Sequence, residues 1–212
     1  HYDLDLVLVS THPSWNMHEY AQVSTPSGPL WIAKDAREPM RAAFADQLPK
    51  EGPLDWVTQV GDLTVIGLDT LVEGSGKGTL SARSLSFLSE TLSTANGAPV
   101  ILALHHPPFP SGIDFMDKIG LTNRHALRDV VAGYTGPLRI VCGHIHSLMV
   151  TDFAGHIALS APSPCSTFAF DLRVDSPVGF MAQEDGCLLH RWNAGFQSIR
   201  IGPVAGAGPF PF

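Results

Sequence analysis

The chain has 212 residues, enough for one well-buried domain and too few for a second of similar size. Hydrophobic residues make up 44% of it and charged residues 16%, so we expect a globular protein and not a disordered one. The formal net charge of −7 argues against non-specific binding of nucleic acid, which needs clustered lysine and arginine.

The sequence also carries signals about compartment and organisation. It contains no run of eighteen apolar residues and no signal peptide at its start, so we expect no association with a membrane. Cys142, Cys165 and Cys187 are widely spaced, and we interpret them as reduced thiols of a cytoplasmic protein. Without an internal repeat or a linker, we expect a single domain over residues 1–212, with a β-rich C-terminal segment from about residue 147.

Short strands and two helices are predicted in the first quarter of the chain. The strand that begins at Leu4 has the apolar run of a strand buried on both faces, and Ser14 is a suitable N-cap for the first helix. In order, the predictions are a strand at Leu4–Val9, a helix from Trp15 to about Val23, a loop at Pro26–Pro29, a strand at Leu30–Ala33 and a helix from Glu38 to about Leu48.

The remaining chain is predicted to alternate strands and helices and then to become β-rich. Gly61-Asp62 is typical of a hairpin turn, and Ser81 is the predicted cap of the next helix. Strands are predicted at 56–60, 63–68, 100–104, 138–142, 148–153, 156–159, 168–172, 186–192 and 196–201, and helices at 82–92 and 123–132.

Two histidine-bearing segments each follow a predicted strand. His105 comes directly after the strand at 100–104, and His144 and His146 follow the strand at 138–142. A helix separates the two strands, and a strand–helix–strand unit places parallel neighbours with their carboxyl ends on one edge of the sheet. We therefore expect the three imidazoles to converge, and imidazole is a ligand that suits zinc, manganese or iron.

The motifs His105-His106-Pro107-Pro108 and Gly143-His144-Ile145-His146 resemble the last two metal-binding motifs of the calcineurin-like metallophosphoesterases. The similarity is greatest to the class III cyclic-nucleotide and glycerophosphodiester phosphodiesterases of bacteria. It extends to the segments at 37–44, 66–70 and 187–192 and covers most of the chain. The resemblance implies an α/β fold, a four-layer αββα sandwich of two mixed sheets flanked by helices.

The resemblance also implies two divalent metal ions, Mn, Fe or Zn. By this likeness His105 and His144 bind the second metal and His146 the first. Two such ions, about 3.5–4 Å apart, would lower the pKa of a bridging water and hold the phosphoryl oxygens during in-line attack.

The N-terminal motifs of that family are missing or replaced. No Asp-x-His precedes the first strand, no Gly-Asp follows it, and Gly-Asn-His-Asp is reduced to Asp35. In an alignment without gaps, His12 stands in place of the bridging aspartate and Lys34 in place of the catalytic histidine. Because whole blocks are lacking while their flanks remain, we expect that short segments are missing after Ser10 and before Asp35, and that the chain is N-terminally incomplete.

The function expected from the resemblance is hydrolysis of a small-molecule phosphodiester, either a cyclic nucleotide or a glycerophosphodiester. The alternatives are a degenerate, inactive family member that binds a phosphorylated ligand or a protein partner, and a mononuclear hydrolase. Asp35 and His106 are candidate catalytic residues, although His106 could equally be hydrogen-bonded to backbone beneath the site. We expect residues 109–122 to line the pocket. Members of this branch often dimerise, so a homodimer or higher homo-oligomer is also expected.

Overall fold

The structure, a computed structural model, describes residues 5–9, 23–25, 28–30, 37–164, 166–173, 179–182 and 186–202. Its strands are β1 (Asp5–Val9), β2 (Val23–Thr25), β3 (Gly28–Leu30), β4 (Trp56–Val60), β5 (Leu63–Leu68), β6 (Val100–Leu104), β7 (Leu138–Cys142), β8 (Met149–Phe153), β9 (His156–Ser160), β10 (Thr167–Phe168), β11 (Phe180–Met181), β12 (Cys187–Trp192) and β13 (Phe196–Ile201). Its helices are α1 (Arg37–Ala43), α2 (Ala82–Ala95), α3 (Asp114–Lys118) and α4 (Arg124–Val131).

A six-stranded mixed sheet forms the centre of the described chain. Its strand order is β4-β5-β6-β7-β9-β8, and β5, β6, β7 and β9 run parallel to one another. The outer strands β4 and β8 are antiparallel to their neighbours. The central strands β5 and β6 are almost entirely buried, as expected of parallel strands that are covered on both faces.

One face of this sheet packs against helices. Leu102 and Ile140 point from β6 and β7 into a core that also contains Leu88 of α2 and Leu127 of α4. All four side chains are completely buried, and each contributes about 1.5–3 kcal/mol of hydrophobic stabilisation. Ser81 caps α2 as predicted, because its side chain accepts a hydrogen bond from the backbone N–H of Ser84.

The opposite face packs against a second, antiparallel sheet with the order β1-β12-β13. Trp192 and Phe196 of the second sheet contact a buried cluster that includes Ile101 and Val141 of the central sheet. Two sheets thus lie face to face, with α2 and α4 on the outer face of the larger sheet, and the predicted α/β sandwich is confirmed. The helix predicted over 15–23 falls outside the described residues except for Val23, which is in β2.

Helix α1 is shorter than predicted. It ends at Ala43, five residues before the predicted end at Leu48. The guanidinium of Arg41 donates hydrogen bonds to the carbonyl groups of Pro49 and Gly52, which folds the following segment back along the helix. Beyond Ala43 the chain continues in turns, in which the N–H groups of Phe44 and Leu48 still donate to carbonyl groups four residues earlier.

Two predictions of β structure also need correction. Of the residues predicted as a strand at 168–172, only Phe168 lies in one, and the N–H of Ala169 adds one hydrogen bond to the carbonyl of Gly179. Beyond it, the side chain of Asp171 accepts a hydrogen bond from the N–H of Arg173 and forms a local turn. Gly28 and Pro29, predicted to be in a loop, form β3 and pair with β2. The two-residue strand β11 and the short helix α3 were not predicted.

Candidate metal centre

The two histidine motifs meet at the carboxyl edge of β6 and β7. These strands are parallel neighbours, and their last residues, Leu104 and Cys142, lie opposite each other. One residue beyond each strand, the N–H of Gly143 donates a hydrogen bond to the carbonyl of His105 at 3.0 Å. The predicted convergence of the two segments is therefore explained by the register of the sheet.

The backbone of the second motif is strained at the histidines themselves. His144 and His146 have φ values of 70° and 49°, in the left-handed region that residues other than glycine seldom adopt. Ile145 between them is 1% exposed and packs with Ile113 and Met116, which fixes the segment. Left-handed backbone at bulky residues is typical of functional sites. The positive φ values fall on the two histidines and not on Gly143, which precedes them.

His105 and His144 are in direct contact. Nε2 of His105 lies 3.2 Å from Nδ1 of His144, and their ring centroids are 5.1 Å apart. His144 is completely buried, whereas His105 is half-buried. Two nitrogens bound to one tetrahedral zinc at 2.0–2.1 Å lie roughly 3.3 Å apart. The observed separation therefore fits a pair of ligands that share one metal ion.

The histidines are held in their neutral form. Burial, followed by the neighbouring histidines, lowers the pKa of His105 well below its usual value. Burial, with His106 and His146 nearby, lowers the pKa of His144 to about 3. Burial also lowers the pKa of His146. At neutral pH each ring then offers an unprotonated nitrogen, which is the form that binds a metal ion.

His146 is oriented by the segment that follows β9. Its Nδ1 lies 3.2 Å from Oγ of Ser166. Its ring packs on the ring of Phe168, with 4.9 Å between the two ring centroids. The hydroxyl of Thr167 donates a hydrogen bond to the His146 carbonyl at 3.2 Å. Such contacts around a metal-binding histidine fix its tautomer and ring angle. Sequence reasoning missed these three residues, which carry no motif and are brought here by the tertiary fold.

His106 lies within the same cluster but makes different contacts. The potential ligand atoms of His105, His106 and His144 all lie within 4.8 Å of one another. Both ring nitrogens of His106, however, have partners in the protein, Thr70 and the carbonyl of Gly76. This arrangement favours the alternative in which His106 is hydrogen-bonded beneath the site.

Asp35, His12 and Lys34 are outside the described residues, as are the two positions where we expect missing segments. Gly61-Asp62 joins β4 to β5, with Gly61 at a φ of 58°, and so forms a turn as predicted. Over the described ranges, the converging group of possible ligands consists of histidines alone.

Comparison with known proteins finds relatives with the names of phosphodiesterases. A probable glycerophosphodiester phosphodiesterase, GpdQ, of Arcobacter nitrofigilis is 32% identical over 172 residues, which are 79% of this chain and 62% of the relative. The cAMP/cGMP dual specificity phosphodiesterase MT0825 of Mycobacterium tuberculosis is 37% identical over 140 residues, which are 65% of this chain and 44% of the relative. The 3′,5′-cyclic adenosine monophosphate phosphodiesterase CpdA of Pseudomonas aeruginosa is 32% identical over 176 residues, which are 78% of this chain and 63% of the relative. These matches support the predicted resemblance to the calcineurin-like metallophosphoesterases.

The chain thus spans less than two thirds of the length of these relatives. No protein-family model matches the sequence. A dimetal phosphatase from Danio rerio, whose structure is solved, is 14% identical in sequence. The match covers 70% of this chain and 60% of the phosphatase chain, with a TM-score of 0.45. Among the described residues, no helix is both long and apolar enough to cross a membrane.

Proposed function

We propose that the protein is a metal-dependent phosphodiesterase that hydrolyses a small phosphodiester, of the cyclic-nucleotide or glycerophosphodiester class. The observation that carries this proposal is the contact of His105 with His144 at the carboxyl edge of two parallel strands, with both rings neutral. Ligand sites of open α/β sheets form at this edge. The relatives described above bear the names of phosphodiesterases for these two substrate classes.

The histidines would hold two divalent cations, Mn, Fe or Zn. His105 and His144 would share one ion, and His146 would bind the other. When bound, the ions supply positive charge that neutralises the phosphate and makes water a better nucleophile. This charge matters because the protein itself carries a net charge of −7 and would otherwise repel an anionic substrate.

The protein side chains position these ligands and exclude water around them. Burial keeps His144 unprotonated, and Ser166 orients the ring of His146. Ile113 and Met116 pack on Ile145 and hold the segment that carries His144 and His146. Phe109 and Phe115, in the segment at 109–122, are partly exposed and would accept a nucleobase or an alkyl group of the substrate.

The second candidate function is that of an inactive family member that binds a phosphorylated ligand or a protein partner. The observation that favours it is the sequence around Ser10 and Asp35, which lacks the Gly-Asp and Gly-Asn-His blocks of the family. A dinuclear centre needs carboxylate as well as imidazole ligands, because a carboxylate bridges the two ions. The two candidates differ in turnover and not in the binding of metal by the histidines.

Hydrolysis of bis(p-nitrophenyl) phosphate by the full-length protein, with Mn²⁺, Zn²⁺ or Fe²⁺ added, tests the proposal. We expect turnover that falls by more than about 100-fold in His105→Asn and His144→Asn, since each removes a ligand nitrogen. His125→Asn is the matched control, because His125 is an exposed histidine of α4. Equal turnover in His144→Asn and wild type would refute the site. Metal binding without turnover would favour the inactive candidate.

Parallel assays with a 3′,5′-cyclic nucleotide and a glycerophosphodiester would separate the two substrate classes. We expect one of them to be hydrolysed with the same dependence on His144 as the synthetic diester. Hydrolysis of neither, together with turnover of the synthetic diester, would place the substrate in another class of phosphodiesters.

We further propose a cytoplasmic homo-oligomer. Cys142 is a buried free thiol that donates a hydrogen bond to the Leu159 carbonyl, and Cys187 is also free, as in a reducing compartment. The edge strand β8 and the strand β11 expose Val150, Phe180 and Met181, which is the kind of surface that is covered in oligomers. Sedimentation velocity of wild type and Val150→Lys tests this, and a monomer at all concentrations would contradict it.

A further inference from the structure

We propose that His106 is a positioning residue that joins the metal-binding histidines to the loop at 74–78 without binding a metal itself. This inference rests on the proposed function. It reassigns a residue that the sequence analysis placed among the catalytic candidates. Three sets of contacts carry it: the hydrogen bonds of the His106 ring, its packing on the neighbouring histidines, and the attachment of the loop to the segment at 120–122.

The hydrogen bonds of His106 define its tautomer and occupy both ring nitrogens. Nε2 lies 3.0 Å from the carbonyl of Gly76, which can only accept, so Nε2 carries the proton. Nδ1 is then the acceptor in the neutral ring, and the hydroxyl of Thr70 donates to it at 2.7 Å. Neither nitrogen has a lone pair directed at a metal ion, although the ring lies among residues that could bind one.

The ring of His106 fills the space between the loop and the other two histidines. Its centroid lies 4.5 Å from that of His144 and 4.9 Å from that of His105. On its other side it packs so closely on Gly78 that a Cβ at this position would overlap the imidazole. His106 is 5% exposed and Thr70 is 3% exposed, so the ring is enclosed and cannot rotate freely. The orientation of His144 therefore depends on that of His106.

The loop held by His106 is in turn attached to the segment predicted to line the pocket. The N–H of Gly78 donates to the carbonyl of Gly120 at 3.2 Å, and Thr122 donates back to the carbonyl of Gly78 through both its N–H and its hydroxyl. His106 thus connects the metal-binding histidines to the loop at 74–78, and Gly78 connects that loop to the segment at 120–122. We infer that loss of its hydrogen bonds disturbs the geometry of metal binding while leaving the ligands in place.

Ring nitrogen chemical shifts of the metal-free protein test the hydrogen bonds directly. Using ¹⁵N-labelled histidine, with His106→Gln to assign the signal, we expect an unprotonated Nδ1 and a protonated Nε2 for His106. The opposite tautomer would overturn the inference, because Nδ1–H cannot accept from Thr70. This measurement needs no metal and therefore remains decisive even if the proposed function fails.

Cobalt(II) binding tests the positioning role, with absorbance and calorimetry as readouts. We expect Thr70→Val and His106→Gln to bind cobalt about 10–100-fold more weakly, with altered visible absorption, at unchanged saturating stoichiometry. Thr70→Ser keeps the donor and should restore binding, and His125→Gln is the surface control. Circular dichroism confirms the fold of Thr70→Val, a nearly isosteric change.

The outcomes separate the two proposals. Wild-type protein that binds no cobalt would overturn the proposed function. If Thr70→Val and His106→Gln bind cobalt as tightly as wild type does, the positioning role is overturned and the proposed function is not. A lower saturating stoichiometry in His106→Gln would show that His106 is itself a ligand, which also overturns the inference.

Discussion

The imidazole of His190 gives a prediction that is independent of the metal centre. His190 lies on β12 between the two sheets and is completely buried. Its Nδ1 lies 2.8 Å from Oγ of Ser198, and within the described part of the chain its Nε2 has no hydrogen-bond partner. Val7 of β1 is its partner in the register of the second sheet, and Arg139 is the charged group near it. A proton added to this ring would therefore create a buried charge beside an arginine.

The magnitude follows from the pKa. Burial, and then the charge of Arg139, lowers the pKa of His190 from 6.5 to about 4. The unfolded chain binds the proton at higher pH than the folded protein, so this stabilisation is complete above pH 6.5 and is lost as the pH falls toward 4. By linkage, the contribution of His190 to the free energy of unfolding should fall by about 2 kcal/mol when the pH is lowered from 7 to 5.

The assay is urea unfolding of wild type and His190→Gln at pH 7, 6 and 5. Glutamine does not titrate, so we expect the stability advantage of wild type to shrink by about 2 kcal/mol from pH 7 to pH 5. The other histidines titrate in both proteins, and their contribution cancels in the difference. His125→Gln, at an exposed position of α4, is the control for the substitution of a histidine by glutamine. A constant difference between wild type and His190→Gln over this range would refute the reasoning.

Two further predictions concern the loops beside the site. Gly78→Ala forces a methyl group against the histidine ring that packs on this glycine, so we expect loss of about 1–3 kcal/mol in thermal unfolding, whereas Gly195→Ala, with open space around it, should be nearly neutral. An equal effect of the two changes would contradict this packing. Asp69→Asn removes the charge of a buried carboxylate that accepts a hydrogen bond from Arg37 at 2.6 Å. Urea unfolding should show that the free energy of unfolding falls by about 2 kcal/mol or more. Glu73→Gln alters the exposed ion pair of the same arginine and should cost less than about 1 kcal/mol; a larger loss than in Asp69→Asn would reverse our ranking.

The sequence predicted well where local pattern and tertiary environment agree. The runs at 100–104 and 138–142 are apolar because both faces of their strands are buried, so pattern and fold give the same bounds. The histidines that follow them were predicted to converge from the handedness and direction of a strand–helix–strand unit alone, and the contact of His105 with His144 agrees with this expectation.

Prediction failed where a side chain bonds to backbone groups near the end of an element. Arg41 donates to carbonyl groups that follow α1, and Asp171 accepts from the N–H of Arg173 in a turn within a predicted strand. The catalytic candidate Asp35 stays a prediction, since it lies outside the described residues. The roles of His105, His144 and His146 as ligands likewise await the metal-binding experiments.

What the sequence by itself determined is most of the strands and helices of the central sheet, the family resemblance, and the residue types that gather at the edge of β6 and β7. Only the tertiary structure decided how those residues are used. The strain at His144 and His146, and the contacts of His106 with Thr70 and Gly76, depend on side chains distant in sequence. Periodicity reports which side of an element is buried, because burial repeats with the element. It cannot report which nitrogen of a buried ring has a partner, since that depends on single atoms brought together from separate segments.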